Sequence, residues 1–87
     1  MSVVWKFPII FIAEQEILLP LGIQILSVQF QREFCMWGVV DPKEERRTLR
    51  KLYVVGTGNE LPTGNIEHIG TVQLDSYVWH FFIERAS

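Results

Sequence analysis

Gln24-Ile25-Leu26-Ser27-Val28-Gln29-Phe30-Gln31 is the stretch whose reading decides the fold. Leu26, Val28 and Phe30 fall on one side, and Ser27, Gln29 and Gln31 on the other. That period of two is the pattern of a half-buried antiparallel strand. Working outward, Arg32-Glu33 forms a hairpin tip into a second strand over 33–40, which Asp41-Pro42 ends because proline biases its predecessor towards an extended or turn conformation. Upstream, residues 3–11 are β-branched and aromatic, with Pro8 placing that strand at an edge or a bulge. A short strand over 16–19 is closed by the turn composition Pro20-Leu21-Gly22. Downstream come a strand over 48–57, broken by Gly56 and Gly58, a loop over 59–65, and a final pair over 67–74 and 77–85 joined through Asp75-Ser76. The sequence therefore predicts an all-β fold, a small antiparallel sandwich or partly open barrel of about six to seven strands. At most one short helix enters, over 44–53 with Leu49, Leu52 and Tyr53 on one face, and the following Val54-Val55 and glycines oppose it.

The chain has 87 residues, 48% hydrophobic and 21% charged, which excludes intrinsic disorder and predicts one domain over residues 1–87. Surface scaling gives a folded area of about 5,300 Å² against roughly 14,800 Å² unfolded, so only a small core is available. Six Phe, three Trp and two Tyr are many for that interior. They concentrate on two segments that are apolar on both faces, Phe34-Cys35-Met36-Trp37-Gly38-Val39-Val40 and Tyr77-Val78-Trp79-His80-Phe81-Phe82-Ile83. One sheet layer cannot cover both faces of two such strands, and in a chain this size the expectation is a homo-oligomer that buries the second face. Cys35 is the only cysteine, so no intrachain disulfide forms and a cytoplasmic location is expected. The apolar start lacks a leading basic residue and a cleavage pattern, and Lys6, Pro8, Glu14 and Glu16 interrupt or follow it. Uncharged apolar runs of about seven residues fall far short of the roughly 18 that a membrane span needs.

Charge is uneven. Lys43, Arg46, Arg47, Arg50 and Lys51, with Glu44 and Glu45, give the 43–51 segment +3 and leave −5 elsewhere. The segment reads either as an anion-binding patch or as a solvated loop and strand edge. His68 and His80 have no zinc-ligand spacing, so no metal is expected. Cys35 with His80 is a formal nucleophile–base pair, and Asp41 a further formal participant. A thiol between Phe34 and Met36 reads instead as buried and inert, and His80 among aromatics as a satisfied core or interface side chain. Gly56-Thr57-Gly58-Asn59 follows a strand and offers backbone N–H groups to an anion, yet it lacks the lysine and helix of a phosphate loop and reads more simply as a turn. No enzyme motif and no cofactor site is present. Negative net charge, with the basic residues away from the tryptophans, disfavours long nucleic acids but not a small nucleotide.

Trp5-Lys6-Phe7-Pro8, Pro20-Leu21-Gly22-Ile23-Gln24-Ile25-Leu26-Ser27-Val28-Gln29, Trp37-Gly38-Val39-Val40-Asp41-Pro42, Val55-Gly56-Thr57-Gly58, His68-Ile69-Gly70-Thr71 and Val78-Trp79-His80-Phe81-Phe82 cover most of the chain. In that order they resemble a family of short uncharacterised bacteriophage and prophage proteins. The resemblance carries no catalytic motif. It implies a non-enzymatic accessory protein in the host-cell cytoplasm, acting against a host antiviral system. The favoured mechanism is capture of a nucleotide-derived immune signal by an oligomer, with occlusion of a host defence protein or a virion role as the alternatives. For nucleotide capture the candidate residues are Trp37 and Trp79 for stacking, Arg47 and Arg50 for phosphate charge, and Thr57, Gly58 and Asn59 for backbone or amide contacts.

Overall fold

In the computed structural model, which describes residues 1–86, the chain forms β1 (Val3–Pro8), β2 (Glu14–Pro20), β3 (Gln24–Phe30), β4 (Phe34–Val40), β5 (Arg47–Gly56), β6 (Ile66–Leu74) and β7 (Tyr77–Glu84). Hydrogen bonding divides these into a sheet ordered β1-β4-β3 and a sheet ordered β2-β5-β7-β6, with every pair antiparallel. There is no helix among the described residues. The helical alternative over 44–53 fails because β5 ladders with β2 on one edge and β7 on the other. Period two then sorts its side chains: Leu52 is fully buried while Leu49 is 55% exposed.

The two sheets face each other across a core of Ile9, Leu19, Val28, Phe34, Met36, Leu52, Phe81 and Ile83. They come together where β3 lies beside β6. There a Cβ on Gly70 would stand 3.0 Å from Val28 Cβ and 3.1 Å from Val28 N. Glycine is what allows this approach, since any side chain would enter the backbone of the facing strand. At the other side, β1 and β2 each end their sheet with no second strand partner among the described residues, which gives Pro8 the edge position expected of it.

Two details differ from the sequence pattern. The register slips between Ile25 and Ser27, so Leu26 is the extra residue of a bulge and is exposed rather than aligned with Val28 and Phe30. Ile25 takes the core-facing place instead. A second bulge lies between His68 and Gly70. The two strands apolar on both faces are also partly covered within one copy. Cys35 faces away from the core yet is fully buried, between Pro8 and Gln29 across the ladder, with Sγ 3.7 Å from the Gln29 carbonyl. Beside it Trp37 is half-buried with Lys6 Nζ 5.7 Å from its ring centroid. On β7 the outward Phe82 meets the His68 ring at 5.3 Å. The formal Cys35–His80 pair does not form, because the two side chains point away from the core on opposite sheets.

Arg50 corrects the reading of the basic segment. It is only 6% exposed, its Nε–H donates to the Glu84 carbonyl at 2.9 Å, and its Nη2 lies 3.5 Å from the Glu67 carboxylate. The guanidinium therefore ties β5 to the ends of β7 and β6. Arg50→Ala should cost about 1.5–3 kcal/mol, the range for hydrogen bonds to charged groups, read as a lower urea midpoint at constant m. Arg50→Met, which keeps the stem packed, should lose less; equal losses would mean that the charge and not the packing matters.

The preceding loop is solvated. Asp41 holds it by accepting from the Lys43 N–H through its side chain and from the Glu44 N–H through its carbonyl. Arg46 donates two-pronged hydrogen bonds to Glu44, and together with the Arg46 backbone N–H they lower the Glu44 carboxyl from its ordinary 4.5 to about 2. A depressed carboxyl stabilises the fold fully above its unfolded value. That contribution is then lost as pH falls from about 4.5 through about 2. Arg46 is 74% exposed, so the effect is small and screened. Melting curves of Glu44→Gln and the parent should differ slightly at neutral pH and converge towards pH 2; a gap that widened on acidification would contradict the pairing.

Candidate functional site

The strand register gathers four connections at one end of the molecule: residues 9–13, 31–33, 57–65 as they leave β5, and 75–76. Aromatic side chains line this end without interruption. Phe30 meets Phe34 edge-on at 5.0 Å, Phe34 stacks on Phe11 at 4.8 Å, Phe11 meets Trp79 edge-on at 4.9 Å, and Tyr77 stacks on Trp79 at 6.0 Å. Phe34 also reaches Phe81, which anchors the run in the core. Phe11 is 45% and Tyr77 66% exposed, and Ile10, Ile12 and Leu61 around them are exposed too. The accessible area of 5805 Å² is larger than the roughly 5,300 Å² expected for this mass, in keeping with apolar side chains held outward. Gln15 on β2 fixes the part of this surface that residues 9–13 form. Its amide donates to the Ile10 carbonyl at 2.6 Å and accepts from the Ile10 N–H at 3.3 Å, which fixes the loop that carries Phe11.

Three adjoining cavities open at this end. One of about 480 Å³ lies along Gly56, Thr57 and Asn59 against Ser76 to Trp79. A second of about 260 Å³ lies between Phe11, Ile12, Ala13, Val54 and Trp79. A third of about 400 Å³ lies under Glu60, Leu61 and Pro62 and reaches Glu14 and Tyr53. Asn59 lines all three, and Trp79 divides the first from the second. Gly56 makes room for the indole, since a Cβ there would stand 3.2 Å from Trp79 Cζ3.

Of the sequence-derived candidates, Thr57, Gly58, Asn59 and Trp79 gather here. The stretch 56–59 is the simple turn expected, with Gly58 at φ +93° and the Asn59 N–H donating to the Gly56 carbonyl. Arg47, Arg50 and Trp37 are elsewhere. Ten residues of β5 separate Arg47 from Thr57, about 30 Å at strand rise. Arg50 is buried in its own ion pair. Trp37 lies on the outward face of the other sheet, beneath Lys6. The expected combination of stacking platform and phosphate-binding arginines is therefore not assembled at one place.

A line of hydrogen bonds on the outward face of the β5-β7-β6 sheet was not foreseen in the sequence. His68 Nε2 and Thr71 Oγ1 are 2.8 Å apart, Thr71 Oγ1 and His80 Nδ1 3.1 Å, and His80 Nε2 and Thr57 Oγ1 2.9 Å. One consistent set of donors runs from His68 Nε2–H to Thr71, from Thr71 to His80 Nδ1, from His80 Nε2–H to Thr57, and from Thr57 to the Val78 carbonyl. The Thr57 hydroxyl is thereby committed to β7, and so is its N–H, which also donates to Val78. The signal was the pairing of Thr71 with His80, visible only once the β6–β7 register is known. No cluster of three or more metal-ligating side chains occurs among the described residues.

Fold and site together define a small two-sheet all-β domain with one aromatic, cavity-bearing end. The chain belongs to the family described as "Domain of unknown function (DUF7352)", whose family model matches residues 1–87. No curated protein and no solved structure matches it.

Proposed function

We propose that the protein is a non-enzymatic binder that acts by occupying a protein partner through its aromatic end. The bacteriophage resemblance of its motifs makes a host defence protein the candidate target and the host-cell cytoplasm the place of action. The observation that carries this reading is the aromatic run from Phe30 through Phe34, Phe11 and Trp79 to Tyr77, in which Phe30, Phe11 and Tyr77 are exposed and the loop carrying Phe11 is fixed by Gln15. Exposed apolar surface with aromatic anchors is the composition of a contact site. Capture of a nucleotide signal is supported less well, because Arg47 and Arg50 lie at the opposite end from Trp79 and Asn59.

The test is capture from a lysate of bacterial cells by the immobilised protein, compared among variants. Occlusion predicts one retained protein whose binding is lost in Phe11→Ser and Tyr77→Ala and kept in Arg47→Ala. A melting temperature that rises with cyclic or adenine nucleotides, by the equivalent of about 2.7 kcal/mol at a hundredfold excess over Kd, would replace occlusion with capture. The expected homo-oligomer is read in the same preparation by sedimentation. A subunit contact seated on the aromatic end would make that end a self-association surface instead.

A further inference from the structure

We infer that the aromatic end receives a basic segment of its protein partner, with a lysine or arginine side chain seated against Trp79. The inference rests on the binding reading above and adds the charge of the partner. Glu14, Glu33, Glu60 and Asp75 all fall at this end by register and loop position, opposed by Arg32 alone. Its formal charge is therefore −3 in a chain of −2, and the remainder of the molecule sums to +1. Among the described residues, the only charged ones that line these cavities are Glu14 and Glu60, both carboxylates and both in the third. The two cavities beside Trp79 carry no charged side chain of their own, and the carboxylates of the third cavity and the neighbouring loops favour a cation over a phosphate at this end.

The walls suit the same occupant. Phe11 and Trp79 stand at 81° to one another, and Tyr77 lies nearly parallel to Trp79 at 29°, so an inserted group finds both ring faces and ring edges. A ring face attracts an ammonium or guanidinium, and Ile12, Ala13 and Val54 offer apolar surface to the methylene stem behind it. The cavity that Phe11 and Trp79 line together, about 260 Å³, falls below the roughly 300–1,000 Å³ usual for small-molecule sites and suits one long side chain. The flanking cavities, which share Asn59 with it, leave room for the residues on either side of that cation.

The experiment uses the full chain and three blocked ten-residue peptides that alternate leucine with lysine, with serine or with glutamate. The Trp79 indole N–H resonance, identified by its loss in Trp79→Phe, reports occupancy. The lysine peptide should shift it and bind about tenfold more tightly than the serine peptide, and the glutamate peptide should leave it unmoved. The advantage of lysine should shrink several-fold as salt rises from about 50 mM to about 300 mM, as screening requires. It should vanish in the Glu14→Gln, Glu60→Gln, Asp75→Asn triple variant, provided its melting temperature stays that of the parent. Equal binding by the serine and lysine peptides would overturn the charge inference and leave the binding reading standing. A Trp79 signal unmoved by all three peptides would overturn both. Adenosine monophosphate shifting it more tightly than the lysine peptide would overturn the charge inference in favour of an anionic ligand.

Discussion

Phe81→Ala lowers the unfolding free energy by about 3–5 kcal/mol, the range for truncating a buried aromatic. Phe81 has no exposed surface, sits opposite Val54 and Gly70 on the neighbouring strands, and touches the Phe34 ring of the facing sheet at 5.3 Å. It is thus the side chain through which the core and the aromatic end are mechanically one object. A domain of this length has about 4–13 kcal/mol in total, so the variant loses a large share of its stability. At about 4–8 °C per kcal/mol the melting temperature should fall by roughly 12–40 °C. Urea denaturation checks the number; a loss below about 1 kcal/mol would mean that Phe81 is not the hinge of the core. Because Phe34 stacks on Phe11, the variant should also loosen Phe11 and weaken binding at the aromatic end.

The second large effect comes from adding atoms instead of removing them. Gly70→Val should cost about 1–3 kcal/mol or more, the range for overpacking. A Cβ at position 70 already stands 3.0 Å from Val28 Cβ, 3.2 Å from Val28 Cγ2 and 3.1 Å from Val28 N. Rotating Val28 about its Cα–Cβ bond relieves only the Cγ2 contact, because Cβ lies on the axis and the backbone nitrogen belongs to a paired strand. The two sheets must therefore separate at the β3–β6 seam. Val28→Ala combined with Gly70→Val should recover only part of the loss, and full recovery would show that side-chain crowding alone sets the approach. Gly38 is the control, since its close neighbours are Cδ1 and Cγ1 of Ile23, whose side chain can swing aside. Gly38→Ala should cost less.

Much of this architecture was legible in the chain because it is local. The β3–β4 hairpin follows from alternation before Arg32 and a continuous apolar run after it, with Arg32 turning at φ 69°, and the β6–β7 hairpin follows from Asp75, which turns at φ 55°. What was not legible depends on which strands become neighbours. Arg50 looks like any member of a charged run until β5 is flanked by β2 and β7, which turns its guanidinium inward to Glu84 and Glu67. Leu26 obeys perfect alternation, and only the partner strand reveals the bulge that exposes it. The same holds for the site. Thr57, Asn59 and Trp79 were found because a strand end and its turn travel together in sequence. Phe11, Gln15 and Tyr77 were missed, since nothing in their spacing tells that residues 9–13 and 75–77 share an end of the molecule.

The strand order has a consequence for how the molecule is made. A ribosome releases β2 well before β5, its one ladder partner among the described residues, and the first residue of β5 lies 27 positions beyond the last of β2. At about 5–20 residues per second, that is a wait of one to several seconds. β1 waits in the same way for β4. During that interval Ile9, Leu19 and their neighbours, which end in the core, have nothing to fold against except the β3–β4 hairpin once it closes. The nascent chain should therefore expose unpaired apolar segments before its partners arrive, and its yield in a crowded cell should depend on translation rate as well as on the stability of the finished fold.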